Sequence, residues 1–172
     1  MGRQSPWHTP TRLEELSHLE EEMLEKAELD LLDSWKFAKQ SPFDVSMIAS
    51  LFMLVLVNLR RGRKEEAATF YQELHKVVLA LDKNWAVGYD KWAQGLTAEA
   101  KGEVSTSLSL LEESVARWKA VERPYEPARV HRDLARLQEK TGRKTEAEET
   151  LATARRLFTQ LGIPAKLIGK KA

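Results

Sequence analysis

The chain contains no cysteine, which removes disulfides, thiolate nucleophiles and zinc-thiolate sites together and fits a reducing compartment. Glycine (8) and proline (6) are sparse among 172 residues, so little in the chain interrupts regular structure. No apolar run is long enough for a membrane span. Met47 to Val57 is almost entirely apolar, but it is about half the roughly 20 residues that spanning requires. Asp44 closes one end of it and Asn58, Arg60 and Arg61 the other, so the expectation is a central helix covered on several sides and no membrane contact. The start, "MGRQSPWHTP", has no apolar signal-peptide core, and Pro6 departs from the myristoylation pattern. A cytoplasmic protein is therefore expected.

Catalytic signatures are missing as well. There is no phosphate-binding G-x-x-x-x-G-K-[ST], no G-x-G-x-x-G and no G-x-S-x-G. Glu15 and His18 form an E-x-x-H pair, which in a di-iron bundle needs a second copy and two further glutamates. His75 and His131 have no glutamate three residues before them. We expect no enzyme, no metal site and no cofactor.

What remains is rich in Leu, Ala, Glu, Lys and Arg, a composition that favours helix throughout. Thr11–Gln40 has no Gly or Pro and carries Leu13, Leu16, Met23, Ala27, Leu31 and Ala38 along one stripe. Thr11 and Glu14 make a capping box at its start, and Pro42 ends it. The rest reads as helices near 44–61, 64–82, 85–102, 104–122, 126–142 and 144–162. Net charge is +1, but it is unevenly spread: −4 over residues 1–40, −2 over 41–114 and +7 over 115–172.

The chain also repeats itself. "GRKEEA" at Gly62–Ala67 returns as "GRKTEA" at Gly142–Ala147, and Gly102 lies midway in "KGEVSTS". A shift of 40 aligns Gly62, Gly102 and Gly142, then the small residues Ala67, Ser107 and Ala147, then Val78, Trp118 and Phe158. Two helices per unit at such a period indicate a stacked helical solenoid, because one helix pair cannot bury both of its faces alone. The glycine supplies a left-handed turn, and the small residue lets paired helices approach closely. The same frame places Ala27, Leu31 and Ala38 as a second helix without a clear first one.

Small-residue helices joined at "TGRKTEA" and closing on "ARRLFTQLGIP" resemble tetratricopeptide repeats. The period is similar to the longer repeats, of about 40 residues, in bacterial signal-transduction ATPases and maltose-regulator-type transcription activators. The resemblance covers about residues 43–161, strongest over Pro124–Leu161, where Ala135, Ala147, Leu151 and Ala154 take the consensus places. Val55 departs from it, standing where a small residue is usual. The resemblance implies an all-α, right-handed superhelical solenoid of about seven helices. A tail and acidic helix (1–42) would pack on three helix pairs (43–161), followed by a basic tail (162–172).

It further implies a concave groove lined by the first helix of each pair, hence a protein-interaction module or adaptor, free or part of a larger regulator. Carried onto this chain, the groove residues are Ala49, Phe52, Leu56 and Leu59, then Tyr89, Trp92, Leu96 and Glu99, then Arg129, Arg132, Arg136 and Glu139. The three arginines share one helix face and need compensation, for which Glu126, Asp133 and Glu139 are the candidates within the chain. Arginines beside Tyr89 and Trp92 suit an acidic peptide with an apolar anchor. The Lys and Asn pattern of chaperone-tail binders is absent. The strip Phe52–Leu56–Leu59 reads as buried, covered either by the N-terminal helix or by a second copy of the chain.

Other readings stay open. An alternative reading of the groove is a site for an acidic small molecule. The unequal ends suit a self-associating scaffold. The segment "LARLQEKTGRKTEAEETL" has the outline of a helix-turn-helix, but Glu148 stands where an apolar residue should pack, so sequence reading of DNA by it is not expected. Non-specific nucleic-acid binding through the basic C-terminal half, +7 over residues 115–172, is the other alternative, with nucleic acid not the first expected partner.

Overall fold

The computed structural model describes residues 12–40, 44–81, 83–121 and 124–163. They form seven helices and no strand: α1 (Arg12–Ala38), α2 (Asp44–Arg60), α3 (Lys64–Leu81), α4 (Asn84–Ala100), α5 (Val104–Trp118), α6 (Tyr125–Lys140) and α7 (Lys144–Gln160). Among these residues no helix is long and apolar enough to cross a membrane. The proposed cap of α1 at Thr11 and Glu14, Pro42, and the tail beyond Ile163 lie outside what is described.

The repeated glycines do what their spacing predicts. Gly62, Gly102 and Gly142 have φ of 71°, 83° and 82°, in the left-handed region. Each closes a Schellman turn. The N–H of Arg63 donates to the Asn58 carbonyl at 2.9 Å, that of Glu103 to Ala98 at 2.9 Å, and that of Arg143 to Gln138 at 2.9 Å. Gly162 (φ 71°) repeats the motif after α7, with Ile163 N–H bonded to Phe158 at 3.0 Å. These turns fold α2 onto α3, α4 onto α5 and α6 onto α7.

Ala67, Ser107 and Ala147 are all buried where the paired helices meet. Two glycines extend the same logic inside α4. A Cβ at Gly88 would lie 2.7 Å from the Trp118 ring, and one at Gly95 would lie 3.1 Å from Leu111. The α4–α5 crossing therefore depends on missing side chains. Ser114 Oγ donates to the Gly88 carbonyl across it at 2.8 Å.

Between pairs, α3 packs on α4, α5 on α6, and α2 also reaches α4. The main core runs through this stack, with Trp92, Trp118, Phe52, Leu74, Leu111 and Leu137 fully buried. A smaller cluster of Ala128, Ala154 and Phe158 serves the last pair. Helix α1 packs on α2 as α3 packs on α4, in the place the 40-residue frame assigns it. Trp35 meets Phe70 edge to face at 5.8 Å, and Arg61 and Arg63 both bond to Glu28.

One boundary differs from the sequence expectation. The fifth helix stops at Trp118, not near 122. The chain tightens there, with Val121 N–H bonded to the Trp118 carbonyl at 3.0 Å, and Val121 still packs on the core.

Candidate binding groove

The first helices of the three pairs, α2, α4 and α6, turn one face each towards a common cleft of about 410 Å³. Leu56, Leu59 and Arg60 come from α2, Leu96, Glu99 and Ala100 from α4, and Arg129, Arg132, Asp133, Arg136 and Lys140 from α6. Of the sequence-expected groove residues, Leu56, Leu59, Leu96, Glu99, Arg129, Arg132 and Arg136 all line it. They converge because residues three, four and seven apart share a helix face, and the repeat presents the same face of each first helix.

Five expected groove residues sit elsewhere: Ala49 and Glu139 are not part of the cleft lining, nor are Phe52, Tyr89 and Trp92. Trp92 and Phe52 are fully buried and form the support beneath the cleft, not its surface. Their rings lie 4.4 Å apart, and Tyr89 closes on Phe52 at 5.1 Å and on Trp118 at 5.1 Å. Tyr89 is thus a half-buried packing residue, and its hydroxyl donates to Glu126 at 3.0 Å. Aromatic rings carry the most apolar area in this stretch, so they are drawn into the interface between units.

Tyr89, Trp92 and the Arg129 guanidinium surround Phe52. Helix α1 packs on α2, and Arg61, just beyond the end of α2, pairs with Glu21 at 2.6 Å.

The charge compensation is likewise redistributed. Glu99, not Glu126 or Glu139, neutralises the arginine row. Arg136 donates two hydrogen bonds to Glu99, one of 2.8 Å, and Lys140 approaches it at 3.6 Å. Asp133 lies 3.3 Å from Arg132, but its other oxygen accepts the Trp92 indole N–H at 2.9 Å. Glu126 is engaged by Tyr89, and Glu139 is exposed and outside every salt bridge among the described residues. Arg129 stacks over Trp92 at 4.9 Å and near Tyr125 at 5.7 Å. Neither Arg129 nor Arg60 joins a salt bridge with a described residue. The cleft thus holds five cations against two carboxylates, with apolar walls beside them.

The bond from Arg136 holds the Glu99 carboxyl below its ordinary value of 4.5, against the opposing effect of burial. A carboxyl with a lowered folded-state pKa contributes stability above its unfolded pKa and loses it as pH falls through the folded value. The thermal stability of wild type should therefore fall faster than that of Glu99→Gln as pH drops below about 4.5. Parallel melting curves across acid pH check this. Equal slopes would mean that the Arg136–Glu99 pair contributes nothing.

Two other titratable groups lie apart from the cleft. His75 Nδ1 is 2.9 Å from Asp90 between α3 and α4, and burial raises the nearby Tyr71 phenol. His131 is lowered by burial, and its Nδ1 meets the Pro127 carbonyl at 2.7 Å. Neither group lines the cleft, and both read as links within the stack. Among the described residues no three His, Asp or Glu side chains gather as a metal site.

The chain matches no protein-family model and no curated protein. The groove itself therefore carries the functional argument.

Arg60 and Lys140 were missed by sequence reasoning. Lys140 was legible, since it continues the Arg129–Arg132–Arg136 row four residues on. Arg60 was read only as the end of an apolar helix.

Proposed function

We propose that this chain is a non-catalytic, tetratricopeptide-like interaction module, acting in the cytoplasm, that binds an acidic peptide segment with an apolar anchor. The observation that carries this reading is the pair of guanidiniums, Arg129 and Arg60, with no salt bridge among the described residues, beside the apolar wall of Leu56, Leu59 and Leu96. A guanidinium matches a carboxylate with two parallel hydrogen bonds. Arg129 already lies over the rings of Trp92 and Tyr125, at 4.9 and 5.7 Å, which restricts its freedom before binding. A small acidic metabolite would use the arginines but not the leucines, which favours a peptide. The resemblance to the repeats of signal-transduction regulators supports an adaptor within a regulatory system.

Selection from a displayed random-peptide library tests the reading. The enriched peptides should carry two or more carboxylates flanking Leu, Phe or Trp. Their Kd, read by fluorescence anisotropy, should rise by about 100-fold or more in Arg60→Glu/Arg132→Glu, which places like charge against like in the groove. Peptides with no acidic bias, or equal affinity for the variant, would remove the groove from consideration.

A further inference from the structure

A surface helix of a folded protein normally turns its apolar side inwards and a polar side to solvent. Helix α1 departs from this. Met23, Leu29 and Phe37 are 66%, 59% and 74% exposed, three of the seven large apolar side chains exposed among the described residues. Glu22, Asp30 and Asp33 are exposed beside them. At 100° per residue these six side chains fall within an arc of about 120°. Leu31 and Ala38 lie on the inner side. Met23, expected from the sequence in their stripe, stands about 60–80° from them at the edge of the outward arc and is exposed there. Among the described side chains of α1, Lys26 is the one cation inside the outward arc, and Lys36 flanks it, bonded to Asp33 at 3.1 Å.

This face has the chemistry the groove calls for: carboxylates alternating with apolar anchors on one preformed helix. We propose that the outward face of α1 docks into the α2–α4–α6 groove of a second copy of this chain, a step that rests on the groove reading above. Leu29 and Phe37 seat against Leu56, Leu59 and Leu96. Glu22, Asp30 and Asp33 approach Arg60, Arg129 and Arg132. The contact is between molecules, because the inner face of α1 is held on α2 by the Arg61 and Arg63 bonds to Glu28, which turns its outer face away from its own groove. It joins unlike surfaces, one acidic and one basic, so the uneven charge along the chain becomes the polarity of an assembly. A preformed helix also spares the ordering that a disordered acidic peptide would undergo on binding.

Sedimentation equilibrium on the full chain tests the proposal. Wild type should associate reversibly, with a Kd rising about tenfold or more between low and high salt. Glu22→Arg/Asp30→Arg/Asp33→Arg alters only exposed groups on α1, and Arg60→Glu/Arg132→Glu alters only the groove rim. Each variant alone should be monomeric, with an unchanged circular dichroism spectrum. Mixed in equal amounts they should form a 1:1 dimer, because the mixture holds one intact groove and one intact α1. A monomeric wild type, variants that associate as wild type does, or a mixture that stays monomeric would each overturn the proposal. Monomers that still bind the selected acidic peptides would leave the peptide reading standing. Loss of both would remove both.

Discussion

Trp92→Ala should destabilise the chain by about 3–5 kcal/mol, the largest effect expected of any single truncation here. Trp92 is fully buried and touches all three layers around the groove. Its ring packs on Phe52 at 4.4 Å from α2, Arg129 lies over it from α6, and its N–H donates to Asp133 at 2.9 Å. Removing it opens a cavity and leaves the Asp133 oxygen without that donor. For a chain of this size such a loss lowers the melting temperature by about 10 °C. Trp92→Phe separates the two causes: it keeps most of the ring and removes the donor, at about 1–3 kcal/mol. Urea unfolding of both variants measures this. A cost below about 1 kcal/mol for Trp92→Ala would mean that the groove floor does not hold the first helices together.

The second large effect is expected at Gly88. Gly→Ala inside a helix normally adds about 0.5–1 kcal/mol of stability through the unfolded chain. Here the new Cβ would stand 2.7 Å from Trp118 Cε2 and Nε1. Trp118 is 1% exposed, so the ring has nowhere to swing. Overpacking of this kind costs about 1–3 kcal/mol and should outweigh the gain. Gly95→Ala is the matched control. Its nearest contacts, at 3.1 Å, include the terminal methyl of a leucine, which yields more readily, so the net change should be near zero. If both variants are equally stable, the close α4–α5 crossing is not set by Gly88.

The repeat was readable in the sequence because its cause is local. A left-handed residue at Gly62, Gly102 and Gly142 needs only its own backbone, and Ala67, Ser107 and Ala147 recur at a fixed distance from each turn. The faces of α2, α4 and α6 followed from helical period once the frame was known. Seven of the twelve groove residues named from that period line the cleft.

Of the five that do not, Phe52, Tyr89 and Trp92 show where periodicity stops. It gives a direction around a helix axis and not the neighbour that stands there. Phe52 and Trp92 point towards the groove side, but the next unit comes close enough to cover them, and Arg129 lies on top. Compensation of the arginine row was expected from Glu126, Asp133 and Glu139, and of these only Asp133 pairs with it, at 3.3 Å from Arg132. Glu126 and Glu139 are near in sequence, whereas the carboxylate that bonds Arg136 is 37 residues away on α4.

By itself the sequence determined the helices, the turns between them, the 40-residue period and the face on which a groove forms, since each rests on interactions within a few residues. Only the tertiary structure decided which arginines in that groove are spent on Glu99 and Asp133 and which stay open. Ion pairing and burial depend on the distance between separate helices, and one helix's periodicity carries no record of that distance.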